Sequence, residues 1–171
     1  MIETSRLKLR PWKVGDWPSV NAILGNADVM QFSDQGVLTE GQQVAWFQAA
    51  LGSGNKHELP HVFAIERKQD RQIVGYISLG SDPERVQPDD VEIGFRLARN
   101  AWGQGYATEA VTALIEKPLL GKQSDRIVAI VDPHNSRSLH VLSKVGMSYR
   151  HDVMFEGYDY PDHLYAYDLV R

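Results

Sequence analysis

The sequence predicts an α/β fold in which helices flank a mixed, twisted, mostly antiparallel sheet. Short alternating or apolar runs near both ends of the chain are typical of strands. Amphipathic stretches that begin at capping residues lie between those runs and predict helices. From residue 91 to residue 146 the order is strand, helix, strand, helix, which indicates one crossover connection and therefore one parallel pair of strands.

The composition excludes several classes of protein. The 171 residues suit a single domain, 1–171, and the 43% hydrophobic content suits a buried core. Eighteen Lys and Arg against 22 Asp and Glu give a net charge of −4, spread along the chain, so we expect no nucleic-acid partner. The absence of cysteine excludes disulfides, thiolate metal sites and a cysteine nucleophile. No apolar run approaches the ~18 residues of a membrane span, so we expect a cytoplasmic protein without a membrane partner.

The first elements are a strand and two helices. Arg6 to Arg10 alternates polar and apolar residues, as a half-buried strand does. Asp16 is expected to cap a first helix, and Thr39 with Gln42 resembles a capping box that opens a second. Between these helices, Gly25 to Leu38 has no periodicity, and we expect a loop that walls a pocket.

Three strands are predicted next. His61 to Arg67 and Ile73 to Leu79 are β-rich runs joined by a short polar segment, which indicates a hairpin. Ser81 to Asp90 contains two prolines and is expected to form a turn. Val91 to Leu97 then alternates apolar and polar side chains. The early part of the sheet is therefore expected to be antiparallel.

The second half of the chain begins with a helix over Ala107 to Ile115, whose apolar residues follow the spacing of a buried face. Ile127 to Val131 is a continuous apolar run, typical of a strand covered on both faces. Asn135 is positioned to cap a further helix that ends at Gly146. Two closing strands are predicted at Met147 to Met154 and His163 to Val170.

A glycine loop separates the strand ending at Leu97 from the helix that follows. Gly103 and Gly105 permit a tight turn, and unpaired backbone N–H groups at a helix start attract a phosphate or pyrophosphate. A plain glycine turn with Trp102 as a core or lid aromatic would give the same pattern. A P-loop is excluded because no Lys-Ser or Lys-Thr follows the glycines.

A dinucleotide-binding turn is a weaker interpretation of the same loop. Asp132 could supply the ribose-binding acid, but Thr108 stands where the third glycine is required, and only one crossover unit is visible. A nicotinamide-dependent oxidoreductase is therefore the less favoured alternative.

Two spaced motifs carry a family resemblance. The first motif consists of Glu92-Ile-Gly-Phe-Arg-Leu97 and Gly103-Gln-Gly-Tyr-Ala-Thr-Glu-Ala110. The second motif consists of Asp132-Pro-His-Asn-Ser-Arg-Ser138 and Lys144-Val-Gly-Met147. Together they resemble the GNAT superfamily of acetyl-CoA-dependent N-acetyltransferases, in its RimJ/RimL-like branch, whose named members acetylate ribosomal-protein N-termini. The resemblance covers nearly the whole chain and implies the single-domain GNAT fold.

The resemblance implies a site for acetyl-CoA as co-substrate. The loop from Asn100 to Ala107 would hold the pyrophosphate, and the backbone of Phe95 to Leu97 would pair with the pantetheine arm. Asn135 would contact the pantetheine region or order water near the sulfur. The implied cofactor-binding residues are Phe95, Arg96, Leu97, Asn100, Trp102, Gly103, Gln104, Gly105, Tyr106, Ala107 and Asn135.

Two positions depart from the family pattern. Asn100 stands where the family usually has Arg or Gln, which puts a side-chain contact to phosphate in doubt. Leu142 stands where many members have the Tyr that protonates the leaving thiolate, and Ser138 is the substitute that this branch suggests. These departures keep a non-catalytic CoA-binding module open as an alternative.

Transfer of an acetyl group to an amine needs a base, an oxyanion site and a proton for the thiolate. The candidate catalytic residues are Glu92, Asn135 and Ser138. Glu92 would remove the amine proton, although a strand Glu paired with Arg96 is the structural alternative. A backbone N–H near Phe95 would meet the oxyanion. Asn135 is equally explained as a helix cap, and Ser138 as a first-turn residue. No nucleophile for a covalent intermediate is evident, so the amine is expected to attack directly in a ternary complex.

The acceptor is left open as a protein N-terminus or a small amine. Gly25 to Leu38 and the aromatic, acidic segment Phe155 to Asp162 are the expected walls of its pocket, although the latter is also typical of a turn between strands. The six histidines show no ligand spacing, and His57 and His61 flank Pro60, so no metal is expected. A homodimer is compatible with the sequence.

Overall fold

The computed structural model describes residues 1–53, 62–80, 85–116 and 124–169. The strands are β1 (Ile2–Glu3), β2 (Leu7–Arg10), β3 (Val62–Arg67), β4 (Ile73–Gly80), β5 (Asp90–Leu97), β6 (Arg126–Val131), β7 (Ser148–Val153) and β8 (Asp162–Asp168). The α-helices are α1 (Trp17–Leu24), α2 (Ala27–Met30), α3 (Glu40–Gly52), α4 (Tyr106–Ile115) and α5 (Ser136–Lys144). Two 3₁₀ turns lie at Val14–Asp16 and Arg99–Ala101.

The strand order is β1-β2-β3-β4-β5-β6-β8-β7, an eight-stranded sheet. β2 pairs antiparallel with β1 and β3, β3 with β4, and β8 with β6 and β7. β5 and β6 pair in parallel, with Val91 opposite Ile127. A parallel pair needs a crossover, and α4 lies in that connection. The mixed, mostly antiparallel sheet with one crossover is therefore confirmed.

Local sequence signals located most elements to within two residues. The capping box of α3 is present, with the Thr39 hydroxyl accepting from the Gln42 N–H. The expected loop over Gly25 to Leu38 instead contains α2, because the Asn26 side chain accepts from the N–H groups of Asp28 and Val29 and closes one turn of helix. β1 was also missed, since two residues are too few to show a pattern. The beginning of the predicted strand at His61 and the end at Val170 lie outside the described residues.

The expected role of Asp16 as a side-chain cap of α1 is wrong. Its carboxylate accepts from the Arg10 guanidinium at 2.7 and 2.8 Å and from the Lys13 N–H at 2.8 Å. Arg10 is buried and also donates to Glu66 at 2.6 Å. The Asp16 carboxylate therefore pairs with a buried cation instead of accepting from the N–H groups at the start of α1. Burial alone would raise the pKa of Asp16, but these bonds outweigh it and hold the pKa below its ordinary value.

The chain divides into two compact units. The first comprises Met1–Ser78 and Phe95–Ala113, and the second comprises Leu79–Gly94 and Leu114–Arg171. The core of the first unit is rich in aromatic and aliphatic side chains, among them Trp12, Val20, Ile23, Leu24, Phe47 and Tyr76. A smaller core in the second unit contains Val86, Val128, Leu164 and Ala166. No helix in the described ranges is both long enough and apolar enough to cross a membrane.

Candidate active site

The glycine loop of the first unit runs from the 3₁₀ turn to the start of α4. Gly103 has φ +72° and Gly105 has φ +78°, a region that other residues rarely adopt. Within the described ranges, the backbone N–H groups of residues 103–107 donate to no other backbone group. The loop therefore presents a cluster of free donors at the N-terminus of a ten-residue helix, which is suited to a phosphate or pyrophosphate.

Arg6 braces this loop from the N-terminal segment. Its Nη1 donates to the Gln104 carbonyl at 2.9 Å, and its Nε donates to Glu109 of α4 at 2.7 Å. The guanidinium also lies over the Tyr106 ring, 4.7 Å from its centroid. Sequence reasoning missed this role, because Arg6 and Glu109 are 103 positions apart and only the fold brings them together.

Glu109 completes the brace. Its carboxylate accepts from the Thr4 hydroxyl and from both the backbone and the side chain of Arg6. Partial burial alone would raise the pKa of Glu109, but these hydrogen bonds and the Arg6 charge outweigh it and hold the pKa below its ordinary value. Glu109 is therefore a charged anchor for the first turn of α4.

Several side chains of the glycine loop make hydrogen bonds or ring contacts that stabilise the loop itself. The Trp102 indole N–H donates to the Leu97 carbonyl at 2.9 Å, and the Arg99 guanidinium lies 4.5 Å from the Trp102 ring. The Gln104 amide donates to the Asn100 carbonyl at 3.0 Å. The polar groups offered to a ligand are therefore mainly those of the backbone.

Close approach between β4 and the end of β5 depends on Gly75. A Cβ at this position would lie 2.3 Å from the Arg96 carbonyl and 2.5 Å from the Leu97 side chain. Glycine is therefore required by the packing of the strand that carries Phe95, Arg96 and Leu97. On this strand the Arg96 guanidinium donates to the Tyr76 hydroxyl at 2.7 Å.

In the second unit, Arg85 forms a bidentate ion pair with Glu92. Both contacts, Nε to Oε2 and Nη2 to Oε1, measure 3.0 Å, and the Arg85 guanidinium lies 4.9 Å from the Phe155 ring centroid. The ion-paired state expected as the structural alternative is present, but the partner is Arg85, from the turn before β5, and not Arg96. Nothing in the periodicity of the sequence indicates this partner, because Arg85 lies in an irregular segment.

Asn135 caps α5, as the sequence predicts. Its side-chain oxygen accepts from the Ser138 backbone N–H at 3.2 Å. Among the described residues, the Ser138 hydroxyl makes no hydrogen bond. The backbone N–H of Ser138, and not its hydroxyl, makes the hydrogen bond to the helix cap. Leu142 is 1% exposed and belongs to the packed interior of the second unit.

A polar cluster next to Asn135 was missed by sequence reasoning. Asp132 accepts from the His134 backbone N–H at 2.7 Å and from the Tyr160 hydroxyl at 2.9 Å, and the Nδ1 of His134 lies 3.0 Å away. Burial alone would raise the pKa of Asp132, but these bonds lower it overall, and the Asp132 contact raises the pKa of Tyr160. Tyr160 thus ties the Phe155 to Asp162 segment to the turn before α5.

Comparison with known proteins identifies the family. A family model described as an acetyltransferase (GNAT) domain matches residues 6–148. The chain belongs to the GNAT acetyltransferase family. It is similar to YnaD of Bacillus subtilis, an uncharacterized N-acetyltransferase, with 30% identity over 85% of this chain and 81% of that protein.

Solved structures confirm the GNAT fold. A GNAT-family acetyltransferase from Bacillus anthracis has a TM-score of 0.83 and 24% identity, covering 98% of this chain and 97% of that one. The aminoglycoside acetyltransferase AAC(6')-Ib in complex with coenzyme A has a TM-score of 0.72 and 19% identity, covering 95% and 94% of the two chains.

The structure places the expected GNAT site residues in two groups. The first unit carries Phe95, Arg96 and Leu97 with the glycine loop, and the second carries Glu92, Asn135 and Ser138. In the described part of the chain, no three His, Asp or Glu side chains form a group that could hold a metal ion. His57 and His61 lie outside the described residues.

Proposed function

We propose that this GNAT protein is an N-acetyltransferase that moves the acetyl group of acetyl-CoA to a primary amine. The observation that carries the proposal is the glycine loop, which has two left-handed glycines and whose backbone donors at residues 103–107 bond to no other backbone group that the structure describes. The pyrophosphate of acetyl-CoA is the anion that this arrangement fits in a GNAT protein. Acetyl-CoA is accordingly the co-substrate.

The reaction is a direct displacement at the thioester. The amine nitrogen bonds to the acetyl carbon, the carbon–sulfur bond breaks, and the electron pair leaves on the CoA sulfur. The amine loses one proton and the thiolate gains one, so the products are an N-acetyl amine and free CoA. A backbone N–H of β5 near Phe95 stabilises the oxyanion of the tetrahedral intermediate.

Glu92 is the proposed base that removes the amine proton, directly or through one water. Its side chain is 18% exposed, and Arg85 fixes the plane of the carboxylate. Bidentate contacts of this kind restrict orientation, which is what a general base needs. Arg85 is therefore a positioning residue, and Glu92 the catalytic one.

Ser138 is the proposed proton donor to the thiolate, and Asn135 its neighbour in the CoA site. Support comes from the Ser138 hydroxyl, which no other described group engages, and from the cap that fixes the first turn of α5. The buried Leu142 has no proton to give. A serine at this place would therefore act in the role that Tyr fills elsewhere in the family.

The acceptor is a protein N-terminus or a small amine. The resemblance of the two motifs to the RimJ/RimL-like branch supports the first, and similarity in fold to an aminoglycoside acetyltransferase supports the second. The segment Phe155 to Asp162, whose Phe155 packs on Arg85, is the proposed wall beside the base.

The test is release of free CoA thiol from acetyl-CoA in the presence of two panels, small primary amines and peptides with free N-termini. Mass spectrometry of the acceptor must show one added acetyl group. Thiol release without an acetylated acceptor would mean hydrolysis, and binding of CoA with no turnover on either panel would favour the non-catalytic module.

A further inference from the structure

Among the described residues, Arg96 forms no ion pair with an acidic side chain. The residue is half-buried, and the single side-chain hydrogen bond that it makes among the described residues goes to the Tyr76 hydroxyl at 2.7 Å. Ion pairs to carboxylates engage Arg6, Arg10, Arg67, Arg85, Arg99, Arg126 and Arg150. A partly buried cation without a counter-charge is costly unless an anion arrives to pair with it.

Tyr76 adds a second unused donor at the same place. The residue is 4% exposed, and its oxygen accepts the Arg96 bond, while its own O–H donates to no group in the described ranges. A buried donor left without an acceptor costs about 1 to 3 kcal/mol. One oxyanion able to accept from both the guanidinium and the phenol would satisfy the pair together.

Aromatic rings pack beside Tyr76. The Tyr76 ring lies 4.9 Å from Trp46, which meets Trp12 edge-on at 5.4 Å. Such an apolar wall excludes water and strengthens the attraction between the guanidinium and an anion. The phosphates of CoA have separate donors in the backbone of the glycine loop, so a second anionic group is the better match.

We propose that Arg96 and Tyr76 bind an anionic group, a carboxylate or a phosphate, carried by the amine acceptor. This inference rests on the proposed acetyltransferase function and narrows its substrate class. The favoured acceptors are amines with a neighbouring negative charge, such as amino acids or phosphorylated amines, and polycationic amines are disfavoured.

The test compares pairs of acceptors that differ in the anionic group, glycine against glycinamide and phosphoethanolamine against ethanolamine. The readout is the ratio of kcat/KM for the anionic and the neutral member. Arg96→Gln is expected to lower this ratio about 10- to 100-fold relative to wild type, because hydrogen bonds to charged groups are lost. Differences in amine basicity, and any effect on acetyl-CoA, cancel in this comparison. If the ratio falls for the glycine pair, the bound group is a carboxylate, and if it falls for the phosphoethanolamine pair, the bound group is a phosphate.

Three further variants complete the design. Tyr76→Phe removes only the hydroxyl and is expected to lower the ratio less, and Arg96→Lys is expected to restore part of it. Arg99→Gln removes a nearby exposed charge that pairs with Asp28 and is expected to leave the ratio unchanged. An unchanged ratio in both Arg96→Gln and Tyr76→Phe, or an equal fall in Arg99→Gln, overturns the proposal. If Arg96→Gln does not fold, Tyr76→Phe alone decides.

Calorimetry separates this proposal from the proposed function. If no pair is acetylated, the four compounds are titrated into the protein without acetyl-CoA. Binding of an anionic member that Arg96→Gln abolishes supports the anion site although the transferase function fails. No binding and no turnover overturn both proposals, while turnover without preference for the anionic member overturns this one alone.

Discussion

Arg85 holds both carboxylate oxygens of Glu92 at 3.0 Å, while its guanidinium rests on the ring of Phe155. The pair is partly exposed to solvent, because the side chain of Arg85 is 30% exposed and that of Glu92 is 18% exposed. Two parallel bonds fix the direction of the carboxylate, which suits a base that must meet an amine at one angle. The same geometry would suit a structural ion pair, so the kinetics of variants decide between the two roles.

Glu92→Gln is expected to lower kcat by about 10² to 10⁴, because the amide cannot accept the amine proton. The fall in kcat should be measured on folded protein at saturating acetyl-CoA. Glu3→Gln, which removes an exposed carboxylate, is the control and should keep wild-type turnover. An unchanged kcat in Glu92→Gln between pH 6 and pH 9 would assign Glu92 to the structural ion pair.

Arg85→Gln is expected to reduce kcat less than Glu92→Gln, because it disorders the base without removing it. If Arg85 acts through Glu92, the double variant should be no worse than Glu92→Gln alone, a coupling that a double-mutant cycle measures. Additive losses would show that Arg85 serves another group. Arg85→Lys should recover part of the activity, since it restores the charge but not the bidentate contact.

Gly105→Asp is expected to abolish the rise in melting temperature that CoA gives the wild-type protein. The substitution puts a carboxylate and a Cβ among the free amides, at a φ of +78°. Gly157→Asp is the matched control, because Gly157 has a φ of +85° and open space around its missing Cβ. Both variants should lose basal stability, but Gly157→Asp should keep the CoA shift. Loss of the shift in both would point to general destabilisation.

Ser138→Ala is expected to lower kcat and kcat/KM together with little change in melting temperature. The hydroxyl makes no bond within the described residues, so its removal leaves the cap of α5 intact, and only the transition state loses a proton donor. Asn135→Ala provides the contrast, with a stability loss of about 1 kcal/mol from the missing cap. Normal turnover in Ser138→Ala would assign the proton to solvent.

Glu109→Gln is expected to lower the melting temperature near neutral pH by about 2 to 4 °C, the shift that roughly 1 kcal/mol produces in a chain of this size. The folded-state pKa of Glu109 is lowered, so its stabilising charge is fully present above the unfolded pKa of about 4.3 and is lost as the pH falls through the folded value. The wild-type advantage should therefore shrink in acid. Glu116→Gln, which removes an exposed acid just after α4, is the control and should keep the wild-type melting temperature near neutral pH.

Local signals in the sequence located the secondary structure well. Capping at Thr39 and Asn135 and the apolar periodicity of α4 act within a few residues, so they can be read without the fold. The same holds for the glycine loop, because a positive φ at Gly103 and Gly105 is a property of the local backbone. Asp16 shows where this logic fails, since a buried Arg10 outcompetes the helix terminus for its carboxylate.

The sequence by itself determined the family, the order of elements and the segment that offers backbone donors, because all of these depend on near neighbours in the chain. Tertiary structure decided which side chains meet: Arg6 with Glu109 across 103 positions, Arg85 with Glu92, and Arg96 with the Tyr76 hydroxyl and, among the described residues, with no acid. Such pairings depend on packing in three dimensions, and an electrostatic contact has no period along the chain that would reveal it.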